Sequence, residues 1–143
     1  MYDSMAEEII SLISTPGTVK EWLLAKHPND IVGQTNLSDT CLLAYFLGEF
    51  GFSVSIGNFF DLSTFSIKGS EKLRDLPDFA MLYAERLDSE TIYYLSENLN
   101  IDEDLLDLYP NYPSVPISGS IALNILRDLE TDLFTEGVEQ HSL

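Results

Sequence analysis

Basic residues are scarce in this sequence. Seven Lys and Arg residues stand against 24 Asp and Glu residues in a chain of 143, which gives a formal net charge of −17. The imbalance grows along the chain, because residues 87–143 hold twelve acidic residues and one basic residue, Arg127. A surface of this charge repels phosphate backbones and anionic lipid headgroups. We therefore expect no direct binding to nucleic acid or to membranes, and we expect a partner, if there is one, to be a basic protein.

Cysteine and long apolar runs are also scarce. Cys41 is the only cysteine, which excludes an intramolecular disulfide and a zinc site built from several thiolates. The longest apolar run, Cys41 to Leu47, is far shorter than the ~20 residues that cross a bilayer. Residues 1–4 lack the basic and apolar segments of a signal peptide. These features predict a cytoplasmic protein.

No recognised catalytic or cofactor motif is present. The sequence has no Gly-rich phosphate-binding loop and no nucleophile elbow. Cys41 with His27 upstream could form a nucleophile and base, but the apolar neighbours of Cys41 favour packing in the core. His27 and His141 fit solvated surface positions better than a metal pair. We expect no catalytic residue, no metal ligand and no cofactor.

The acidic run that begins at Asp102 resembles a calcium loop only superficially. An EF-hand needs Gly at its sixth position and Glu at its twelfth, where this chain has Asp107 and Pro113. Acidic side chains at a helix N-terminus explain the run more simply. Aromatic residues among the neighbouring prolines are typical of interfaces. The predicted partner-binding residues are Asp102, Glu103, Asp104, Asp107, Tyr109 and Tyr112. A second aromatic pair, Phe59 and Phe60, is expected to fold back over the core.

Apolar periodicity and capping residues predict a mainly α fold with six or seven helices. Alternating residues near 52–68 predict a small two-stranded hairpin, and a mixed α+β fold is the alternative. In detail, Pro16-Gly17 should end the first helix, Thr18 should cap the second, Asn29 to Asn36 should be a loop, and Ser89 should cap a separate helix. The last helix should start at Ser118 or Ser120 and end at Gly137. Its predicted core face consists of Ile121, Ala122, Ile125, Leu126, Leu129 and Leu133. We expect one globular domain over 1–137 and a flexible tail over 138–143.

The segment 41–50 is apolar on nearly every side. A helix of this kind lies at the centre of a core or is shared with a partner. Both interpretations stay open, and the second would make a homodimer through the 41–50 helix.

Three functions remain compatible with the sequence. The first is a non-enzymatic, acidic protein-binding module. The second is a nucleic-acid mimic, whose carboxylates imitate a phosphate ladder and block a DNA- or RNA-binding protein. The third is a small enzyme whose site carries no motif.

Overall fold

The structure, a computed structural model, describes residues 2–35, 41–57, 63–99 and 116–141, and over 92–99 and 134–141 the backbone alone. These ranges contain five helices and five short strands. The helices are α1 (Tyr2–Ile13), α2 (Pro16–Leu24), α3 (Leu42–Glu49), α4 (Asp78–Leu99) and α5 (Gly119–His141). The strands are β1 (Ile31–Gln34), β2 (Val54–Ile56), β3 (Thr64–Ile67), β4 (Arg74–Asp75) and β5 (Pro116–Ser118). The prediction of a mainly α fold with six or seven helices is wrong, and the α+β alternative is confirmed.

Two predicted helices are one continuous helix, α4. The sequence placed a new helix start at Ser89, but the Ser89 hydroxyl donates to the carbonyl of Arg86 at 3.5 Å. Thr91 donates in the same way to the carbonyl of Leu87 at 2.6 Å. Both hydroxyls therefore bond back to the preceding turn, as Ser and Thr do inside a helix, and neither caps a new one.

Proline begins a helix where the sequence predicted a break. Thr15 has extended backbone (φ −133, ψ 156) before α2, and Pro16 takes the first helical position. Proline is tolerated there because its missing N–H would have no partner within the helix. The predicted start at Thr18 is therefore too late. At the other end of the chain α5 continues past Gly137 to His141, so Gly137 does not end it.

The strands form two small antiparallel sheets. One has the order β2-β3-β4, and its β2–β3 pairing, with Ser55 opposite Ser66, is the predicted hairpin with a third strand added. The other pairs β1 with β5 and thereby joins two distant parts of the chain. β1 lies where the sequence predicted a loop over residues 29–36, so that prediction is wrong.

The buried core centres on α3 and α5. The buried face of α5 is the predicted one and consists of Ile121, Ala122, Ile125, Leu126 and Leu129, with Leu133 partly buried against it. α5 packs against α4, where the buried Tyr83 hydroxyl donates to the carbonyl of Ala122 at 2.8 Å. The buried residues of α3 are Leu42, Leu43, Ala44, Phe46 and Leu47.

Candidate functional site

The predicted partner-binding segment lies outside the described residues. This applies to Asp102, Glu103, Asp104, Asp107, Tyr109 and Tyr112, and also to Phe59 and Phe60. Their assignment stays a prediction, and the site described below is built from other residues.

Cys41 has the environment of a packing residue. It occupies the N-cap of α3 and is half-buried. Burial raises the pKa of its thiol from 9.0 to about 12, which opposes formation of the thiolate that a nucleophile needs. His27 accepts a hydrogen bond at Nδ1 from the backbone N–H of Asn29 at 3.1 Å, so that nitrogen is already engaged in the turn after α2.

An open cleft of about 500 Å³ lies between α2, β1 and α3. We call it the Trp22 cleft. The side chains that give it its chemical character are Trp22, Lys26, Asp30, Ile31, Tyr45 and Glu49. Ala44 and Gly48, spaced one turn apart on α3, also line it and leave room because they carry little or no side chain.

A carboxylate, an indole and an ammonium group meet in this cleft. Glu49 accepts a hydrogen bond from Trp22 Nε1 to its Oε2 at 2.6 Å, and one from Lys26 Nζ to its Oε1 at 2.6 Å. Lys26 Nζ also lies 5.3 Å from the centre of the Trp22 ring, within the range of a cation–π interaction. The indole face and the carboxylate together form a binding position for a cation, which Lys26 fills.

The aromatic side chains below the cleft hold Trp22 in place. The Trp22 ring packs edge-to-face on Phe46, with 5.4 Å between ring centres, and Phe46 packs in the same way on Phe50 at 5.1 Å. Phe46 is fully buried, whereas Phe50 is 49% exposed. Trp22 therefore packs directly on a buried core residue, and the aromatic cluster extends through Phe50 to the solvent-exposed surface.

A β-bulge shapes the β1 side of the cleft. Ile31 pairs with Ser118 and Gly33 with Ile117, so two steps along β1 match one step along β5. Such a bulge turns side chains away from the regular alternation. Val32 is buried, while Ile31 is 51% exposed and faces the cleft.

Backbone hydrogen bonds fix the loop that carries Asp30. Its N–H donates to the carbonyl of His27 at 3.0 Å, and its carbonyl accepts from Gly119 at 2.8 Å. Its carboxylate accepts from the backbone N–H of His27 at 3.1 Å. The start of α5 is thus tied to this loop, and the acidic side of the cleft is formed before any partner arrives.

The cleft is net negative, because two acidic side chains, Asp30 and Glu49, and one basic side chain, Lys26, line it. The hydrogen-bonded ammonium of Lys26, with help from the Trp22 N–H, holds the pKa of Glu49 below its ordinary value of 4.5. Five of the seven basic residues form ion pairs with carboxylates of this chain; they are Lys20, Lys26, Lys72, Arg74 and Arg86. Few basic groups thus remain to balance exposed carboxylates such as Glu7, Glu8 and Glu21.

Sequence reasoning did not find this site. Trp22 and Lys26 are four residues apart, the spacing that brings side chains together on a helix face, and that signal was available. Ile31, Tyr45 and Glu49 lie on the two elements that follow α2, 9 to 27 residues from Trp22, so no helical or strand periodicity connects them to Trp22. The apolar character of 41–50 indicated that α3 matters, and the large apolar side chains that stay exposed there are Tyr45 on α3 and Phe50 directly after it.

The cleft offers groups that bind and orient: a fixed carboxylate, an aromatic face and apolar walls. In the part of the chain that the structure describes, no cluster of three or more His, Cys, Asp or Glu side chains is arranged to hold a metal ion. The helices in that same part include none that is both long and apolar enough to cross a membrane.

Comparisons with models of protein families, with curated proteins and with solved structures find no match to this chain.

Proposed function

We propose that the protein is a non-enzymatic interaction module that binds a basic segment of a partner protein in the Trp22 cleft. The observation that carries the proposal is the joint exposure of two apolar side chains, Ile31 and Tyr45, beside the carboxylates of Asp30 and Glu49. Apolar walls next to fixed carboxylates suit a segment that alternates apolar and basic side chains.

The apolar part of the cleft supports binding of a protein segment. Ile31 is 51% exposed and Tyr45 is 38% exposed, and Phe50 continues the same aromatic cluster. A neighbouring set of exposed apolar side chains, bordered by charged ones, is typical of an interaction site. Aromatic side chains such as Tyr45 and Trp22 often provide the largest share of binding energy at interfaces.

The charge of the chain supports a basic partner. A net charge of −17 exceeds the magnitude of about 2–8 that is enough for the solubility of a small domain. Excess like charge also destabilises a folded chain through self-repulsion. A basic partner relieves that repulsion on binding. A second copy of this chain adds to it, so a homodimer through the 41–50 helix is the weaker proposal.

The protonation state of the cleft supports binding over acid–base catalysis. Glu49 is a carboxylate at neutral pH even at its ordinary pKa of 4.5, and the hydrogen bond from Lys26 lowers that pKa further. A general acid at neutral pH needs the opposite shift. The ionised form of Glu49 is the form that binds a cation.

Binding of a fluorescent, end-capped peptide of alternating arginine and leucine tests the proposal. We expect saturable binding that weakens as NaCl rises from about 0.1 M to about 1 M, because the screening length falls from about 10 Å to about 3 Å. The variants Ile31→Ser and Tyr45→Ser should each weaken binding of the peptide. Leu73→Ser is the matched control, since Leu73 is also exposed but does not line the cleft.

The same assay separates the two candidate surfaces. Reversal of Asp102, Glu103 and Asp104 to Lys should weaken long-range attraction but leave the effect of Tyr45→Ser intact. If the reversal abolishes binding and Tyr45→Ser does not change it, the acidic run is the binding surface and the cleft is not. If a captured partner binds DNA and DNA competes with this chain for it, the nucleic-acid-mimic function replaces the proposal.

A further inference from the structure

We propose that the Trp22 cleft takes one arginine side chain of the partner, which replaces Lys26 over the Trp22 ring. This inference rests on the proposed function and names the chemical group that the cleft recognises. Lys26 then acts as an internal occupant that keeps the cation position filled until the partner binds.

In the free protein a cation of the chain itself, the Lys26 ammonium, already occupies the position. Lys26 Nζ lies 2.6 Å from Glu49 Oε1 and 5.3 Å from the centre of the Trp22 ring. Trp22 Nε1 donates to the other oxygen of Glu49 at 2.6 Å, which holds the carboxylate at the edge of the indole. A cation above the ring can therefore reach the carboxylate without moving either group.

Arginine fits this arrangement better than lysine does. Its guanidinium is flat, stacks on an aromatic face and offers several N–H donors in one plane. Stacked on Trp22, it would direct donors both at Glu49 and outward to the Asp30 side of the cleft. The ammonium group of Lys26, by contrast, contacts the ring and donates to one carboxylate oxygen only.

Lys26 is free to leave at low cost. Its side chain is 31% exposed and that of Glu49 is 46% exposed, so their ion pair is a surface pair. Pairs of this kind contribute little to folding stability. Lys26 also lies beyond the last residue of α2, in the turn that leads to β1, and its long side chain can swing into solvent. Exchange of one cation for another keeps the Glu49 carboxylate paired throughout.

Trp22 fluorescence tests the inference, because Trp22 is the only tryptophan in the chain. The probes are two end-capped basic peptides that are identical except for a central arginine or citrulline, a neutral side chain of nearly the same shape. We expect the arginine peptide to bind at least roughly threefold more tightly than the citrulline peptide, the scale of a partly exposed charge pair. Lys26→Met should increase that preference by roughly threefold or more by removing the competing ammonium.

Two matched substitutions control for nonspecific effects. Glu49→Gln should remove the preference for arginine, whereas Glu130→Gln should not. Lys20→Met should leave the preference unchanged, because Lys20 on α2 forms an ion pair of the same kind with Glu130 of α5 at 3.2 Å, outside the cleft. Should Glu49→Gln fail to fold, the two peptides and Lys26→Met suffice to decide.

Equal affinity for the two peptides overturns the inference, and so does a Lys26→Met variant with an unchanged preference. If both peptides bind equally, with salt dependence and with loss in Tyr45→Ser, the proposed function stands and only the arginine assignment fails. If neither peptide binds, the proposed function and the inference fail together.

Discussion

Gly33 on β1 and Leu42 on α3 pack backbone against backbone beside the cleft. A Cβ atom added to Gly33 would lie 2.5 Å from the backbone nitrogen of Leu42 and 2.6 Å from its Cα. Both are backbone atoms at the start of α3, so the contact cannot be relieved by rotation of a side chain. The absence of a side chain at Gly33 therefore sets how closely α3 packs on β1, and hence the width of the Trp22 cleft.

Substitution Gly33→Ala should destabilise the protein by about 1–3 kcal/mol, the usual cost of overpacking. It should also weaken binding of the arginine–leucine peptide, because β1 and α3 carry opposite sides of the cleft. Urea denaturation followed by circular dichroism measures the first effect. Gly17→Ala is the control: nothing lies within 4 Å of its added Cβ, and alanine in α2 should stabilise by about 0.5–1 kcal/mol. Equal stability of the two variants would contradict the packing account.

The buried face of α5 carries a second prediction. Ile125→Ala or Leu129→Ala should cost about 2–5 kcal/mol, since each deletes a large aliphatic side chain that is fully or almost fully buried. Asn124→Ala, on the exposed side of the same helix, should change stability little. Thermal melts compare the three. A loss in Ile125→Ala no larger than that in Asn124→Ala would show that α5 does not pack as described.

The reactivity of Cys41 follows from its raised pKa. Because burial shifts that pKa from 9.0 to about 12, the thiolate is scarce near pH 8. Higher intrinsic nucleophilicity offsets part of this, so we expect native labelling to be roughly 30-fold slower than labelling of the urea-unfolded chain. A thiol reagent followed by absorbance gives both rates. Fast native labelling would restore the nucleophile hypothesis.

Removal of the negative charge of Glu90 is expected to stabilise the folded protein. Burial, together with Asp128 and Asp132, raises the pKa of Glu90 above its ordinary value of 4.5, although Arg86 opposes the shift. One carboxylate oxygen, Oε2, is buried without a hydrogen-bond partner. A group whose pKa is raised by folding weakens the folded state when ionised, and this penalty disappears as the pH falls through the folded-state pKa.

Glu90→Gln should therefore raise the melting temperature at pH 7, and the gain should shrink as the pH falls through the folded-state pKa and be absent below the ordinary value of 4.5. Glu85→Gln, at an exposed position on the same helix, should show no comparable gain. Melting temperatures of the two variants across pH 4–7 provide the test. A loss of stability in Glu90→Gln at pH 7 would mean that the carboxylate is satisfied in the folded protein.

Local patterns predicted the elements whose cause is local. The spacing of apolar residues identified the buried face of α5. Of the two predicted starts of this helix, Ser118 and Ser120, the structure selects Ser118, whose Oγ accepts from the N–H of Ile121 at 3.3 Å. The β2–β3 hairpin also follows from alternation within a short stretch. In each case the residues that form the recognisable pattern lie close together in the sequence.

The missed strand β1 and the missed cleft have a common physical cause, which is long-range contact, whereas the errors at Ser89 and Pro16 were misread local signals. β1 is a strand because β5, from the far end of the chain, pairs with it, and no residue in 29–36 signals that partner. The Trp22 cleft combines α2, β1 and α3 through the contact of Glu49 with Trp22 and Lys26. The prediction of a binding site instead followed charge density along the chain, which places acids at Asp102 to Asp107 but cannot show which side chains meet in space.

Chemical-shift mapping of the isotope-labelled protein tests the central claim, that the Trp22 cleft binds basic protein segments, most directly. Titration with the arginine–leucine peptide should shift the Trp22 indole N–H and the amides of Ile31, Tyr45, Gly48 and Glu49 along a single saturable curve. The amides of α1, where Glu7 and Glu8 are exposed, should move little. Equal shifts over all acidic surfaces, or shifts confined to residues 102–112 with the Trp22 indole unmoved, would contradict the account.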